Sequence, residues 1–547
     1  MERKILELLA QLVALKSTTN TDLEVQVEEF LFKYLGEQPY FQKHQENYGV
    51  FSVPGDAKQR RCIFALVKGV TGRTVIFMNH HDTVGTGVYG ETEPWACDIQ
   101  EAGTRVAALQ PDSEAEDDYV SQKWIFGRGS CDMKGGLAAQ LAVISEYARR
   151  PEAGSLLFLS VPDEESYSAG MRSVLPFLAE LQQRQHLDYL LLVNSEPDRR
   201  EDGKQVIGIG SVGKLLPVVF VQGRAVQLGS YREGLSAVGL LSELVNATEG
   251  DSAMVDQAPE VELTAGLRAP AQETPPPVWM YVRDLKNSYD FTVPAQAAGY
   301  CNILTFTKTP SQVLEYFITR CREASERVLA KTGNGLNVKV ISYGELWHLA
   351  SSRPKFAQFK EKLEEELAEE LARSGQDYPG MTIKAMQKLA AFSRYNGPLM
   401  IVGFAPPYYP AVQSFRQTKT VLPEAGVGNA AEKQAVLLKA LAAVDLKLPA
   451  RFEQYFLGVS DCSYGGILQS VPTSCYSDNT PLWGSNYKFD FKTLYGLQIP
   501  CLLLGPWGKC LHQAGERVNR QSVSRELPQV LKAVLKAVWQ DGKQAGH

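Results

Sequence analysis

The sequence lacks the features that mark several broad classes of protein. No apolar run approaches the ~20 residues that span a bilayer, and no lysine and arginine cluster indicates nucleic acid. The first residues lack the apolar core and cleavage site of a signal peptide. The nine cysteines are scattered, and none lies in a CxxC pair. These absences predict a cytoplasmic protein with reduced thiols, no membrane or nucleic-acid partner, and no cysteine-ligated zinc.

The composition that remains is that of an ordinary globular protein with few histidines. The 547 residues are 44% hydrophobic and 22% charged, and the net charge is −6. A chain of this length is expected to form two or more domains with buried cores. There are only seven histidines, so their positions are informative, and three of them lie in the motifs described next: His80, His81 and His512.

A predicted strand at residues 74–78 leads into a His-x-Asp motif. Successive side chains on a strand alternate between its faces, so His80 and Asp82 are expected to point the same way. An imidazole with a nearby carboxylate is typical of a metal ligand and the group that orients it. The alternative is a strand end that is polar without function, and this motif alone does not exclude it.

Similar polar groups follow other predicted strands. Glu164 and Glu165 come after the strand at 155–162, Glu196 comes after the strand at 189–194, and His512 comes after the strand at 500–504. A glycine-rich loop places Asp132 before a helix, where helix capping is the alternative role. Alternating strands and helices predict a parallel sheet. Functional residues in such sheets lie at the carboxyl ends of the strands.

Together these groups offer the donors for two divalent metal ions bridged by one carboxylate. Imidazole and carboxylate ligands without sulfur favour zinc, with manganese or cobalt as alternatives. One of the adjacent Glu164 and Glu165 would bind metal, and the other would face the substrate as a proton acceptor. A set of unrelated surface carboxylates is the competing interpretation. The shared topological position disfavours it for the full set, which is His80, Asp82, Asp132, Glu164, Glu165, Glu196 and His512.

The pattern of elements predicts an α/β fold in three chain segments. Residues 1–211 and 346–547 are expected to form a catalytic domain with a mixed, mainly parallel sheet and helices on both faces. Residues 212–345 have a β-α-β-β-α-β order and predict an inserted α+β, ferredoxin-like lid domain. The acidic stretch 85–123 is expected to be an irregular surface loop. The strand at 398–404 is assigned to the catalytic domain, and the Pro406–Pro410 stretch directly after it is expected to be a rigid aromatic loop that could border the site.

The order of the motifs resembles the M20 family of metallopeptidases and aminoacylases. The matching motifs are His-x-Asp, Gly-Arg-Gly-Ser-x-Asp-Met-Lys-Gly-Gly, Asp-Glu-Glu, Ser-Glu-Pro and His-x-x-Gly-Glu-Arg-Val. The chain length, the Asp461 segment and the Pro406–Pro410 stretch resemble its RocB-type arginine-utilisation branch.

The resemblance implies a role for each residue of the site. Asp132 would bridge the two metals, and Asp82 would orient His80. Glu164 would be the general base. His80 and Glu196 would bind one metal, and Glu165 and His512 would bind the other.

The resemblance also implies a homodimer joined through the lid domain, and here the sequence departs from the family. The family usually carries a lid histidine that holds the substrate and the developing oxyanion, and this chain has Gln227 after the corresponding glycine. Glutamine donates a hydrogen bond but carries no charge, and loss of an oxyanion donor typically costs ~10²–10³ in turnover. The family's carboxylate-binding lid arginine has one candidate here, Arg283, for which a surface ion pair is the alternative.

These observations predict a metal-dependent hydrolase that cleaves an amide bond. The expected substrate is a peptide, an N-acyl amino acid or a related amino-acid derivative, within arginine or amino-acid catabolism. The alternative is a non-catalytic or weakly active M20-like protein that binds amino-acid derivatives. Gln227 motivates this alternative, whereas an intact Glu164 argues against it, because a binding protein has no need of a general base.

Overall fold

The computed structural model describes residues 1–110, 113–264, 266–415, 430–467 and 471–539. Within these ranges, no helix combines the length and apolarity that crossing a membrane requires. The helices are α1 (Glu2–Ala14), α2 (Glu24–Gly36), α3 (Pro39–Lys43), α4 (Ala102–Leu109), α5 (Glu114–Val120), α6 (Lys134–Tyr147), α7 (Ala169–Gln185), α8 (Ala237–Thr248), α9 (Pro310–Thr332), α10 (Tyr343–Ser351), α11 (Phe356–Arg373), α12 (Tyr378–Ser393), α13 (Ala430–Asp445), α14 (Thr473–Asp478), α15 (Phe491–Leu497) and α16 (Leu527–Trp539).

The strands group into one large sheet, a second smaller sheet, one three-stranded sheet and three short pairs. They are β1 (Tyr48–Ser52), β2 (Arg61–Val67), β3 (Arg73–His80), β4 (Trp124–Phe126), β5 (Ser155–Val161), β6 (Asp188–Asn194), β7 (Arg200–Glu201), β8 (Lys204–Gly208), β9 (Gly210–Ser211), β10 (Gly213–Gln222), β11 (Gln257–Ala258), β12 (Val261–Thr264), β13 (Leu267–Ala269), β14 (Gln272–Glu273), β15 (Val278–Asp284), β16 (Gln296–Thr305), β17 (Lys339–Ser342), β18 (Leu399–Tyr409), β19 (Val412–Gln413), β20 (Ala450–Glu453), β21 (Cys501–Leu503), β22 (Gly508–Lys509) and β23 (Arg517–Asn519).

The large sheet has a parallel centre and antiparallel flanks. Its strand order is β1-β2-β5-β3-β6-β21-β8-β20, and β7 pairs with β8. Strands β5, β3, β6 and β21 run parallel, whereas β1 and β2 are antiparallel to their neighbours. Alternate residues of β3 enter two different cores: Val75 and Phe77 pack with α6 and α16, and Ile76 and Met78 pack with α7. The predicted α/β fold, with a mixed sheet covered by helices on both faces, is confirmed.

The second sheet has the strand order β15-β16-β10-β18-β17. Helices α8 and α9 cover one face, and α10 and α12 cover the other. The strand predicted at 398–404 is β18, and it pairs antiparallel with β10 and parallel with β17. Its assignment to the catalytic domain is therefore wrong. The physical reason is that every residue of β18 is buried, and a strand buried on both faces has the same apolar sequence in either sheet.

The end of β18 contains the prolines that the sequence places in a loop. Strand β10 and strand β18 pair with a register shift, because Lys214 lies opposite Tyr409 whereas Leu216 lies opposite Ala405. Proline has no backbone N–H and cannot sustain the hydrogen-bond ladder, so the shift falls at Pro406-Pro407. The Pro406–Pro410 stretch is thus mostly a bulged strand rather than a loop after one.

The acidic stretch 85–123 is not an irregular loop, and that prediction is wrong for its described residues. It contains α4 and α5, and its apolar side chains pack on Trp124 and Phe126. Asp118 accepts hydrogen bonds from Arg517 Nε and Lys509 Nζ, each at 2.7 Å. These contacts fix the stretch to the hairpin β22–β23 beside His512. A long structureless segment inside a compact domain is uncommon.

Candidate active site

The order of the strands brings the predicted side chains to one edge of the large sheet. Strand β3 lies between β5 and β6 and runs parallel to both, with His80 opposite Val161 and Met78 opposite Asn194. The carboxyl ends of all three strands therefore meet. The residues that follow these ends leave the sheet together, as expected for a parallel α/β sheet.

Asp132 lies between two imidazoles at the centre of this edge. His80 Nε2 is 3.3 Å from Asp132 Oδ1, and His512 Nε2 is 3.1 Å from Asp132 Oδ2. Burial alone would raise the pKa of Asp132, but the contacts from His512 and His80 hold that pKa well below its usual range. Each oxygen of one buried carboxylate thus faces its own histidine.

Two glutamates complete the group of predicted ligands. Glu165 Oε2 is 3.0 Å from His512 Nε2, and Glu196 Oε2 is 3.6 Å from His80 Nε2. One donor atom each from His80, Asp132 and Glu165 lie within 4.8 Å of one another. The structure therefore brings together all five residues that the sequence proposes as metal ligands.

Asp82 connects His80 to the two glutamates that follow β5. His80 Nδ1 is 3.4 Å from Asp82 Oδ1 and 3.0 Å from its backbone oxygen. The backbone N–H groups of Glu164 and Glu165 donate to the two oxygens of Asp82, each at 3.1 Å. One fully buried carboxylate thus orients the imidazole and the Glu164-Glu165 turn at the same time.

Glu164 and Glu165 differ in what surrounds their carboxylates. Glu165 contacts His512, whereas Glu164 Oε2 comes only within 4.0 Å of His80 Nε2. Burial raises the pKa of Glu164 well above its ordinary value, and nearby carboxylates add to this effect. Burial and the neighbouring Asp132 raise the pKa of Glu165 to about 7. Glu164 is therefore the less engaged of the pair.

Asp461 joins the cluster, although the sequence assigns it no role. It is 1% exposed, and neither carboxylate oxygen has a hydrogen-bond partner among the described residues. Burial raises its pKa to about 7. The adjacent Ser460 hydroxyl accepts from Asn194 Nδ2 at 3.0 Å, and the same amide donates to Glu196 at 3.2 Å. The only signal in the sequence is that Asp461 follows an apolar segment.

Glu516 supports the Asp132 loop and is missing from the predicted site. Its Oε1 atom accepts from the backbone N–H groups of Cys131 and Asp132, each at 3.3 Å, and its Oε2 atom pairs with Arg128. Glu516 is fully buried. Its place in the His-x-x-Gly-Glu motif could have indicated this role, because it directly follows the glycine after His512.

Arg60 supports the other side of the cluster and is also missing from the prediction. Its Nη1 atom is 3.0 Å from Glu24 and 2.5 Å from Asp163, and its Nη2 atom is 2.9 Å from Asp56. Asp163 directly precedes Glu164 in the chain. A buried arginine thus fixes the start of the turn that carries both glutamates, and nothing in the local sequence separates it from an exposed arginine.

The structure does not bring Gln227 to this cluster. Gln227 is exposed on the second sheet's side of the molecule, where its backbone bridges Thr292 and accepts from Ser230. No hydrogen bond or ion pair in the described ranges joins it to a residue of the site. Arg283 lies on β15 and is also exposed.

The donor atoms of the cluster fit divalent cations. His80 Nε2, Glu165 Oε1 and both oxygens of Asp461 are buried without hydrogen-bond partners in the described part of the chain. Buried polar atoms are normally paired, and an unpaired one is costly. The surplus of carboxylates over imidazoles leaves negative charge that a cation would balance. Nitrogen and oxygen donors without sulfur suit catalytic zinc and related metals.

Comparisons with known proteins identify relatives of the chain. The profile of "Peptidase family M20/M25/M40" matches residues 76–413. The chain is 28% identical to the uncharacterised protein YqjN of Bacillus subtilis, over 100% of this chain and 98% of that protein. It is 26% identical to protein RocB of the same organism, over 95% of this chain and 92% of that protein.

Solved structures share the fold at low sequence identity. Aminopeptidase PepT from Bacillus cereus is 13% identical and matches with a TM-score of 0.52 over 98% of this chain and 99% of that one. The metallo-carboxypeptidase Sso-CP2 from Sulfolobus solfataricus is 12% identical and matches with a TM-score of 0.51, over 98% of this chain and 99% of that one. Because the family profile covers more than half of its residues, the chain belongs to peptidase family M20/M25/M40 and is a metal-dependent amide hydrolase.

Proposed function

We propose that this chain uses two divalent metal ions to hydrolyse an amide bond in a peptide, an N-acyl amino acid or a related amino-acid derivative. The observation that carries the proposal is the Asp132 carboxylate, whose two oxygens lie 3.3 and 3.1 Å from two different imidazoles. A carboxylate in this position is suited to bridge two cations, each with its own histidine. Zinc fits the donors best, and manganese or cobalt are the alternatives.

The remaining donors divide between the two proposed cations by proximity. Glu196 is near His80, and Glu165 is near His512. We therefore assign His80 and Glu196 to one metal and Glu165 and His512 to the other, with Asp132 between them. Asp82 is proposed to orient His80, because its carboxylate and its backbone oxygen both contact Nδ1.

Glu164 is proposed as the general base. Bound metal ions would supply Lewis-acid polarisation of the substrate carbonyl oxygen. Glu164 would take the proton from the attacking water and deliver it to the leaving amine. Its carboxylate is held near His80, and its backbone is fixed by Asp82.

The physiological setting follows from the similarity to RocB. We propose a role in amino-acid catabolism, with arginine derivatives among the substrates to test, and a cytoplasmic location. The supporting facts are the match over nearly the whole length of both chains and the free cysteines.

We also propose that the second sheet is a lid and that two copies join through it. Strand β15 is the edge of that sheet, and among the described strands it pairs only with β16. Its exposed apolar residues are Val278, Met280 and Val282, which are 43%, 57% and 46% exposed. A free edge with apolar side chains favours pairing with another strand. For Gln227 to contact substrate, the lid would have to move or a second copy would have to supply it.

The second candidate function is a protein that binds amino-acid derivatives without cleaving them. Gln227 favours it, since glutamine cannot supply the positive charge of a histidine. Against it stands Glu164, which is buried beside the proposed ligands and whose N–H group is held by Asp82. Binding alone requires no such base.

Substitution of Glu164 tests the proposed function. We expect Glu164→Gln to lower kcat by ~10²–10⁴, because the amide cannot accept a proton, while metal content and fold stay unchanged. The assay measures turnover of the zinc-loaded protein on dipeptides and acylated amino acids, including arginine and ornithine derivatives. Elemental analysis and circular dichroism report metal and fold, and Glu180→Gln, at an exposed glutamate, is the control.

The possible outcomes separate the two candidate functions. A full rate in Glu164→Gln would show that another group is the base. Binding of these compounds without turnover by the unaltered, metal-loaded protein would favour the non-catalytic alternative.

A further inference from the structure

Gln140 is a fully buried glutamine in an apolar part of helix α6. Its amide nitrogen lies 3.1 Å from the carbonyl oxygens of Met78 and Val193 and 2.9 Å from the Ser195 hydroxyl. Its amide oxygen accepts a hydrogen bond from Asn79 Nδ2 at 2.9 Å. Both ends of this amide are thus engaged, and a buried polar network of this kind favours a single arrangement of the segments that it joins.

These contacts lie at the last rung of the ladder between β3 and β6. That ladder ends at the pair Met78 and Asn194, and His80 and Glu196 each lie two residues beyond it. Backbone pairing alone therefore does not fix the distance between these two side chains, whose Nε2 and Oε2 atoms are 3.6 Å apart. Gln140 engages the residue directly before each of them.

Gly136 brings α6 close enough to make these contacts. Gly136 and Gln140 are one helical turn apart and share a face of the helix. A Cβ atom at Gly136 would lie 2.0 Å from the carbonyl oxygen of Ser195, so this approach of the helix to the strand end requires glycine. Met133, directly before the helix, accepts the backbone N–H of His80 on its sulfur at 3.2 Å. One helix therefore contacts the chain beside both ligands.

We propose that Gln140 is a positioning residue whose amide holds the ends of β3 and β6, so that His80 and Glu196 keep the separation needed to bind one metal ion together. This inference rests on the proposed function, which assigns these two side chains to the same ion. None of the hydrogen bonds of Gln140 in the described part of the chain reaches the segments that carry Glu165 and His512. Its influence is therefore confined to one of the two metal positions.

This confinement separates positioning from a purely structural role. Loss of buried hydrogen bonds destabilises a protein wherever they lie, and a general loss of stability would not distinguish one metal position from the other. A positioning role instead predicts weaker binding of the ion held by His80 and Glu196, with binding of the second ion unchanged.

Cobalt titration of the metal-free, full-length protein tests the proposal. Cobalt suits imidazole and carboxylate ligands, and its visible absorption reports the geometry of those ligands. Gln140→Met keeps the length of the side chain and removes both ends of the amide. We expect the Kd of one cobalt ion to rise roughly 10- to 100-fold, with a changed visible spectrum, whereas the Kd of the other stays constant.

Gln454→Met is the matched control. Gln454 is also a buried glutamine, and its amide nitrogen donates to the carbonyls of Pro259 and Pro270 at 2.6 and 3.2 Å. Its substitution removes the same type of contact away from the ends of β3 and β6. We expect Gln454→Met to lower the Tm and to leave the Kd of both cobalt ions unchanged.

Ser195→Ala is a milder second variant, and it decides the question if Gln140→Met fails to fold. It removes one contact of the Gln140 amide and leaves the others in place. We expect weaker binding of the same single cobalt ion, by a smaller factor than in Gln140→Met. Unchanged binding of both ions in every folded variant would contradict the positioning role.

The remaining outcomes separate this inference from the proposed function. Equal weakening of both cobalt ions in Gln140→Met, or the same change in Gln454→Met, would also overturn the role of Gln140. If the unaltered protein binds two cobalt ions but hydrolyses none of the amides, the proposed reaction fails while the titration still decides the role of Gln140. An unaltered protein that binds no cobalt would contradict both.

Discussion

The two sheets of this protein differ in where their exceptional side chains lie. In the large sheet these are polar groups at the strand ends, and in the second sheet they are exposed apolar groups on an edge strand. The central strands of the large sheet are buried on both faces, and the polar groups lie beyond their ends, where His80, Glu165 and Glu196 meet Asp132. The second sheet instead exposes apolar side chains along the edge strand β15. Polar side chains at strand ends can converge on a site without entering the hydrophobic core, whereas an unpaired edge strand can pair with a further strand. The chemistry and the assembly of the protein are thus expected to depend on different sheets.

The largest expected effect, on metal content and turnover, comes from removing the carboxylate of Asp132. We expect Asp132→Ala to lose most of its bound metal and to fall below detectable turnover, because both imidazoles lose the oxygen they face. Elemental analysis of the purified protein gives metal per chain, and a substrate panel gives turnover. Asp445→Ala, at an exposed helix end, is the control. Retention of two metals per chain in Asp132→Ala would contradict the proposed role of Asp132 as the bridge between them.

A smaller but substantial effect is expected at the arginine that supports the catalytic turn. Arg60→Met leaves the carboxylates of Glu24, Asp56 and Asp163 without their shared cation. Breaking a buried ion pair typically costs ~3–5 kcal/mol, and chemical denaturation measures that loss in the free energy of unfolding. The exposed Arg3–Glu7 pair provides the control, since Arg3→Met should cost less than about 0.5 kcal/mol. Equal losses in both variants would show that burial of Arg60 is energetically unimportant.

The smallest effect on a single chain is expected at the edge of the second sheet. Val282→Lys places a charge on the free edge strand, where it should separate the proposed dimer and leave the Tm of the chain nearly unchanged. Light scattering coupled to gel filtration measures the mass in solution. Val70→Lys, at a valine that is 89% exposed, controls for the added charge. A dimer that survives Val282→Lys would place the interface elsewhere.

The sequence predicts the large sheet and the polar residues at its strand ends because both signals are local. Apolar runs marked the strands, and polar groups directly after His80, Val161 and Asn194 marked their ends. Parallel pairing then made the convergence a consequence of the fold class. His512 and Asp132 came from the same logic, although no pattern in the chain states how close they lie.

The sequence could not predict which sheet contains β18. It also could not predict which residues support the site through contacts from outside it. An apolar strand with prolines fits an edge, a bulge or a loop equally well before its partners are known. The hydrogen bonds of Glu516 to the Asp132 loop join residues 384 positions apart, and those of Arg60 to Asp163 join residues 103 apart. Supporting residues of this kind are defined by tertiary contacts alone.

The contact between Asp132 and His512 also sets when the proposed two-metal site can first form. The two residues are 380 positions apart in the chain. At the elongation rates of ribosomes, synthesis of that stretch takes roughly 20–80 s. For most of this interval the nascent chain carries His80, Asp132 and Glu196 but not His512. Hydrolysis through the proposed two-metal site therefore has to wait for translation of His512.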